Sequence, residues 1–402
     1  MQFLKIAALA CSVFILNEMP AQTGCTDPQA LNFNTTAIQN DGSCEYPFTS
    51  FFPVDITRLP GEIPECSGMQ FFNDQLWAIN DSGDGPFLYQ LDLPSRSFLR
   101  KVFVKNAANI DWEDLAQDSL HLYAGDFGNN NGNRRDLKIY KIKKSELSQD
   151  SVSSEKIEFT WEDQDDFSTR LRAHNFDCEA FFHYRDSLYL WSKNWLDGQT
   201  RLYVLPDIPG TYAARKIAQL DTKGMVAAAD INPSGEIAVL LGYTTIGQTF
   251  FWTLFDFKER EFLSGNKRRF SFSNPTFAQA EAATFRDTFG GFFGSEAYLV
   301  FEPLMGTFDL SPWVKSDISL VELVENQFIK IYPNPFQSAF TIENDAAIED
   351  FKIINALGLK MDEKANIPPG THYFPMTNLP TGVYFLKGEI AGKTFRYKIQ
   401  KH

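Results

Sequence analysis

Five times between about residues 66 and 303 the chain repeats one phrase, and that repeat narrows its possible folds more than any other feature. The second copy reads Trp112-Glu113-Asp114-Leu115-Ala116, a turn at Asp118-Ser119, then Leu120 to Asp126 and Leu137 to Ile142. Each copy supplies a short apolar strand, a tight polar turn, a second strand, a loop and an aromatic third strand. Evenly spaced strands with this phrasing are the sequence form of a β-propeller blade. The pattern predicts an all-β chain with five blades, a sixth remaining open, because periodicity fixes the class of fold more firmly than the number of repeats. An aromatic content of 15%, with 38 Phe, suits strands that pack on both faces.

First strands are expected at 67–69, 113–115, 179–181, 228–230 and 281–283, and second strands at 76–79, 120–124, 188–191, 237–241 and 289–293. Third strands are expected at 87–91, 137–142, 201–205, 250–254 and 297–301, and outer strands at 99–104, 157–161, 216–220 and 269–272. The fifth blade has no evident fourth strand, so 50–57 or 318–323 must close it. The propeller then spans 49–310, with a linker over 311–327.

From Ile329 onward the character changes. Ile331-Tyr332-Pro333-Asn334-Pro335-Phe336 opens a β-rich unit that ends in Leu379-Pro380-Thr381-Gly382-Val383-Tyr384 and a basic strand, Phe395 to Ile399. In this order the motifs resemble the C-terminal type A sorting domain of proteins exported by the type IX secretion system. The resemblance covers residues 328–402 and implies a small immunoglobulin-like sandwich, recognised by that machinery at the outer membrane. The other end of the chain fits export. Residues 1–21 read as a signal peptide: Lys5, an apolar run from Ile6 to Leu16 too short to span a bilayer, and Met19-Pro20-Ala21 before the cut. No later stretch is apolar enough for a transmembrane helix. A monomer delivered through the periplasm to the cell surface or the medium is expected. A net charge of −14 argues against nucleic acid or anionic membrane as partners.

Four cysteines remain after that cut. Cys25 and Cys44 bracket a short polar loop and are expected to pair in an oxidising compartment. Cys66 and Cys178, at equivalent positions two blades apart, are expected to be buried thiols. The segment 22–48, with its Cys25-Thr26-Asp27-Pro28 start and Asp41-Gly42-Ser43-Cys44 end, resembles a thrombospondin type-3-like calcium repeat. That resemblance implies Ca²⁺ held by Asp27, Asn32, Asn34 and Asp41. A polar turn held by the disulfide alone accounts for the same residues.

Acidic residues mark the first strands. Glu113, Glu179 and Glu281 hold comparable slots, while blade one has Ser67 and blade four has Ala228, with Asp230 two residues on. Second strands end near Asp81, Asp126, Lys193 and Glu296. Side chains two apart share a face of a strand, and first strands line the axis of a propeller. Asp81, Glu113, Asp126, Glu179, Lys193, Asp230, Glu281 and Glu296 are therefore the candidates for one mouth of the channel. Carboxylates that close need a counter-charge, for which Ca²⁺ or Lys193 qualifies, or hydrogen bonds from backbone amides.

The runs Asn80-Asp81-Ser82-Gly83-Asp84, Asp111-Trp112-Glu113-Asp114 and Gly125-Asp126-Phe127-Gly128-Asn129-Asn130 resemble phytase-like and gluconolactonase-like bacterial propellers. That resemblance implies carboxylate-bound Ca²⁺ at the mouth and hydrolysis of phosphate esters or lactones, with Lys193 or Arg134 on phosphate. Gly128 to Asn133 reads as a turn-rich surface loop, since it does not open a helix. The chain has no Gly-x-Ser-x-Gly, no His-Glu-x-x-His and no phosphate-binding loop with its Lys. His174 and His183 flank Cys178-Glu179 without a recognised metal spacing, and a strand position facing solvent accounts for His183 equally well. Two readings stand: a propeller that binds an extracellular ligand, or a calcium-dependent phosphoesterase or lactonase.

Overall fold

Strands form where the repeat sets apolar residues between polar turns. The computed structural model describes residues 22–273, 279–297, 301–314, 329–355, 360–390 and 393–401, in two units, Met1–Val314 and Lys315–His402. In the first unit β1 (Thr23–Gly24) and β2 (Gln39–Asn40) pair in parallel beside the Cys25–Cys44 disulfide. Next come β3 (Thr49–Phe51) and β4 (Val54–Arg58).

Antiparallel meanders follow. The first is β5 (Cys66–Phe72), β6 (Gln75–Asn80), β7 (Phe87–Asp92) and β8 (Ser97–Lys105). The second is β9 (Trp112–Gln117), β10 (His121–Asp126), β11 (Leu137–Lys143) and β12 (Ser151–Trp161). The third is β13 (Asp177–Tyr184), β14 (Ser187–Lys193), β15 (Gln199–Pro206) and β16 (Gly210–Asp221). The fourth is β17 (Met225–Ile231), β18 (Ile237–Tyr243), β19 (Thr249–Phe255) and β20 (Asn266–Phe272). The last has β21 (Ala280–Phe285), β22 (Gly290–Ser295) and β23 (Leu304–Asp309), and it is completed by β4 from the start of the chain. Among the described residues the one helical element is a 3-10 turn at Lys144–Glu146.

The first strands β5, β9, β13, β17 and β21 pack side by side in a ring, with β21 returning against β5. Each junction between neighbouring meanders encloses its own apolar cluster. Trp77, Trp112 and Tyr140 fill the first junction, Tyr123, Phe181 and Tyr203 the second, and Trp191, Phe182 and Leu240 the third. Phe251, Phe285 and Phe293 fill the fourth, and Met69, Tyr89 and Phe292 close the ring. Strands β9, β14, β18, β21 and β22 are buried on both faces, whereas the outer β8 and β12 alternate buried and exposed. This all-β, nearly closed arrangement is consistent with a β-propeller. Outer strands also pair in parallel, β12 with both β8 and β16, which joins the first three meanders into one 12-stranded sheet.

Two expectations change. The third strand of the last meander is β23 at Leu304–Asp309, and not 297–301, because Leu304, Met305 and Thr307 are the residues that face β4. The expected closing segment 50–57 divides in two: β3 pairs in parallel with β20, and only β4 closes the last meander. The alternative at 318–323, like the signal peptide at 1–21, lies outside the described residues. Cys66 and Cys178 are both buried and free, as their positions two blades apart lead one to expect.

The disulfide-closed segment docks onto the fourth meander. Asn40 Nδ2 donates to Asp256 Oδ2 and Asn266 Oδ1, Lys267 Nζ donates to Gly42 O, and Arg268 Nη1 donates to Gln29 Oε1. Gly42 (φ +75°) sits so close that a Cβ would lie 2.5 Å from Ser264 O.

The second unit holds two sheets. One orders β24 (Ile329–Tyr332), β25 (Ala339–Asn344) and then β28 (Gly370–Pro375); the other orders β27 (Lys360–Ile367), β26 (Ile348–Asn355), β29 (Gly382–Ile390) and β30 (Lys393–Lys401). Phe340, Ile342, Phe351, Ile353, Phe374 and Leu386 share its core. The two motif ends meet the last strand: Gln400 N donates to Asn334 Oδ1, and Lys401 Nζ donates to the carbonyls of Met376 and Leu379.

The ring of first strands leaves little room. A Cβ on Gly68 would lie 2.7 Å from Leu115 N and 2.8 Å from Asp114 Cα, both backbone atoms of the neighbouring strand. Gly68→Ala is expected to lower stability by about 1–3 kcal/mol in denaturant unfolding. Gly61→Ala, with nothing within 4 Å of its Cβ position, serves as the neutral control.

Candidate functional site at the mouth of the ring

The first strand of every meander carries a β-bulge near its start. The register skips one residue at Ser67, Glu113, Glu179, Ala227 and Glu281. A bulged residue has no partner opposite, and its side chain is re-aimed. Here it turns Glu113, Glu179 and Glu281 into one cavity of ≈ 290 Å³. The fourth meander's equivalent is Ala227 and not Ala228, one residue earlier than the sequence pattern indicates.

Asp81, Lys193 and Glu296, at or just past the ends of second strands, line the same cavity, together with Tyr243, Trp195 and Arg172. Six of the eight predicted mouth residues therefore come together: Asp81, Glu113, Glu179, Lys193, Glu281 and Glu296. The other two do not line it. Asp126 is fully buried against Arg134 Nη2 at 2.9 Å, and it also accepts from the Asp111 N–H. Asp230 lies three residues beyond the bulge, farther down the axis. Its carboxylate accepts from Gln70 Nε2 at 3.1 Å and Phe285 N at 2.7 Å.

Lys193 is the buried cation of the mouth, and it is already engaged. Its Nζ pairs with Glu179 and donates to Tyr243 Oη at 2.9 Å; Tyr243 in turn donates to Glu281 Oε1 at 2.7 Å. Burial opposes the ammonium, but Glu179, Tyr243 and Glu281 more than offset it and hold Lys193 well above the ordinary lysine range. Arg134 is likewise taken, by Asp126 and Asp136. Neither stands free to meet a phosphate.

The opposite wall is uncompensated. Glu113 is 3% exposed, and among the described residues its carboxylate has no hydrogen-bond donor or cation as partner. Ligand oxygens of Asp81, Asp111 and Glu113 lie within 4.8 Å of one another. Burial, then the negative charge of Glu179 and Asp81, pushes Glu113 well above the carboxylate range. Burial raises Asp81 to about 7, and burial with the charge of Asp177 raises Asp111 to about 6. Glu296 is also raised, by burial and then by Glu281, and its Oε1 is buried without a partner. Oxygen donors of this density, without a nitrogen or sulfur ligand, suit a hard divalent cation such as Ca²⁺.

Asp111, Tyr243 and Trp195 are absent from the predicted set. Asp111 could have been found as the acidic neighbour of the Trp112-Glu113 run, and Tyr243 by aligning second-strand ends. Trp195 carries no signal in the sequence. The loop from Gly128 to Asn133 is more than a surface turn. A Cβ on Gly128 would fall 1.9 Å from Glu113 Oε1 and 2.5 Å from Asp111 Oδ2, so only glycine allows these carboxylates to approach. His174 is held within this region, its Nδ1 accepting from Phe176 N and its Nε2 lying 3.1 Å from Asn130 O.

In the N-terminal segment, Asp27 accepts from Gln29 N and Tyr46 Oη, and Asn32 Oδ1 accepts from Glu45 N. Asn34 Oδ1 accepts from Thr36 N, and Asp41 Oδ1 from Ser43 N. All four candidate calcium ligands thus accept hydrogen bonds within their own segment.

Residues 330–401 match the family described as Secretion system C-terminal sorting domain. That is the type IX sorting domain its motifs resemble, and it indicates export to the cell surface or the medium through that machinery. No helix among the described residues is long and apolar enough to cross a membrane. No curated protein matches the sequence. Among solved structures, an exo-β-1,3-galactanase from Phanerochaete chrysosporium is similar at TM-score 0.42 and 8% identity, over 90% of this chain and 96% of its own. A calcium-binding protein, regucalcin, from Agrobacterium tumefaciens is similar at 0.35 and 12% identity, over 65% and 95%. Hydrazine synthase of Kuenenia stuttgartiensis is similar at 0.32 and 10% identity, over 85% and 97%. Scores this low transfer neither fold nor chemistry, so the mouth rests on its own atoms.

The raised carboxyls have a consequence for stability. Asp81, Asp111 and Asp230 stand at about 7, 6 and 6 in the folded chain against 3.8 for an ordinary aspartate. A carboxyl raised by folding favours the folded state while protonated, fully so below the unfolded pKa, and that contribution is lost as pH rises through the folded one. Metal-free protein is expected to lose thermal stability between about pH 4 and pH 7. Asp81→Asn should recover on the order of 1–2 kcal/mol at pH 8 and flatten that profile.

Proposed function

We propose that this is an exported protein whose first unit is a five-bladed β-propeller that holds Ca²⁺ at Asp81, Asp111 and Glu113, and through it an extracellular ligand. The C-terminal unit, read here as an immunoglobulin-like sandwich, delivers it. The observation that carries the reading is Glu113, almost fully buried at the cavity wall, unpartnered, and beside two more carboxylates. A buried charge without compensation is costly, and a bound cation removes the cost. The geometry favours the mouth over Asp27, Asn32, Asn34 and Asp41, whose side-chain oxygens already accept hydrogen bonds inside their own segment.

Calorimetric titration of Ca²⁺ into the chelated full chain tests this. One mouth site is expected, abolished in Glu113→Gln and retained in Asp27→Asn/Asp41→Asn. Affinity should rise from pH 5 to pH 8 as Asp81 and Asp111 give up protons at about 7 and 6. Titration unchanged by Glu113→Gln would overturn the proposal.

A calcium-dependent hydrolase is the second reading. Carboxyls raised into the neutral range can give and take protons near working pH, which a binding site does not require. The same preparations assayed on phosphomonoester, phytate and lactone substrates separate the two. Ca²⁺-dependent turnover lost in Glu113→Gln would establish the hydrolase; binding without turnover supports the ligand module.

Export is tested separately. Deleting residues 326–402 should leave the protein folded in the periplasm, with the disulfide formed, and none at the surface. Normal surface delivery of the shortened chain would refute a sorting role.

A further inference from the structure

First strands begin at the mouth, so the turns that follow them gather at the other end of the ring. There the β9–β10 turn, the end of β13 and the residue after β15 bring Asp118, His183 and Asp207 together. Ligand atoms of the three lie within 4.8 Å of one another. His183 Nε2 is 2.9 Å from Asp207 Oδ2, and His121 Nδ1 is 3.0 Å from Asp118 Oδ2. Adjacent ligands on an ion with bonds of about 2.0–2.2 Å stand roughly 3.0–3.4 Å apart. The spacing already approximates one edge of a coordination shell.

The groups are also held in place. The Tyr123 ring stacks on the His183 imidazole, with centroids 5.4 Å apart and planes 9° from parallel, while its hydroxyl donates to Asp118 Oδ2 at 2.7 Å. The N–H groups of Leu120 and His121 both donate to Asp118 Oδ1 at 2.6 Å. His183 retains 7% of its side-chain exposure and Asp207 19%, so an ion has a way in.

Two ammonium groups face the cluster. Lys141 Nζ donates to Asp207 O at 2.8 Å and Lys144 Nζ to Asp118 O at 2.6 Å. They roughly cancel the two carboxylates, so net charge does not draw a cation here as it does at the mouth. Affinity has to come from the imidazole bond, which selects borderline first-row ions over Ca²⁺.

We propose that Asp118, His183 and Asp207 form a second cation site, for Zn²⁺ or a similar transition ion and not for Ca²⁺, on the face opposite the mouth. Three protein ligands leave a fourth position for water or a substrate atom. His121 and Tyr123 orient Asp118 from outside the shell.

The test is calorimetric titration of the tag-free full chain with Zn²⁺, in saturating Ca²⁺, with Co²⁺ absorbance as a report of ligand geometry. One Zn²⁺ event is expected in wild type and in Glu113→Gln, lost in His183→Ala and weakened about tenfold in His121→Ala. Asp207→Asn, which keeps a hydrogen-bonding oxygen beside His183, decides the matter if His183→Ala does not fold. Absence of Zn²⁺ binding by wild type, or binding unchanged in the folded variants, would mean that these residues only pin the second meander to the third.

Discussion

A strand at the inside of a closed ring has one edge with no neighbouring strand, and its N–H and C=O groups still need partners. In this chain the partners are side chains from the neighbouring first strands. Asp114 accepts from the N–H groups of Phe181 and Ala229, and Asp230 from that of Phe285. Thr284 Oγ1 accepts from Phe71 N, Gln70 donates to Leu115 O, and Ser67 to Trp112 O. The axis below the mouth is therefore filled by a polar network that laces the ring together. Gly68 is buried against this network, where a Cβ would lie 2.8 Å from Asp114 Cα.

That lacing divides the acidic residues of the repeat by role. A carboxylate with donors on the neighbouring strands serves the fold, as Asp114 does through two backbone N–H groups and Asp230 through Phe285 N and Gln70 Nε2. One turned outward by a bulge meets no such donor. Glu179 and Glu281 find Lys193 and Tyr243, but Glu113 finds no such partner among the described residues. The mouth is thus asymmetric: Glu179 and Glu281 are engaged by Lys193 and Tyr243, whereas among the described residues Asp81, Asp111, Glu113 and Glu296 have no ion pair. An uncompensated wall of this kind is where a cation gains most by binding.

The two faces of the ring differ in the chemistry they present. The mouth collects carboxylates around one lysine, while the far face sets an imidazole between carboxylates whose charge two lysines balance. The difference arises from the hairpin. First strands descend from the mouth, so bulge residues appear at one end and turn residues such as Asp118 at the other. The two faces thus present different donor sets without sharing a side chain.

The sequence determined the strands, because apolar alternation and turn residues such as Asn73-Asp74 (φ +50° and +59°) are local properties of the chain. It also determined the pairing of Cys25 with Cys44 and the sorting unit, whose motifs lie close along the chain. It placed six of eight mouth residues by strand alternation. In the fourth meander the cause of failure is the bulge, which shifts register by a residue that period-two reading cannot see. Hence Ala227 replaced Ala228, and Asp230 fell to the axis beneath. Asp126 failed differently, since only folding brings Arg134 across from its loop to neutralise it. His183 is not a solvent-facing strand residue because Asp207 and Tyr123, distant in sequence, close over it. Which charges are paired depends on contacts between meanders, and these exist only when the ring is closed.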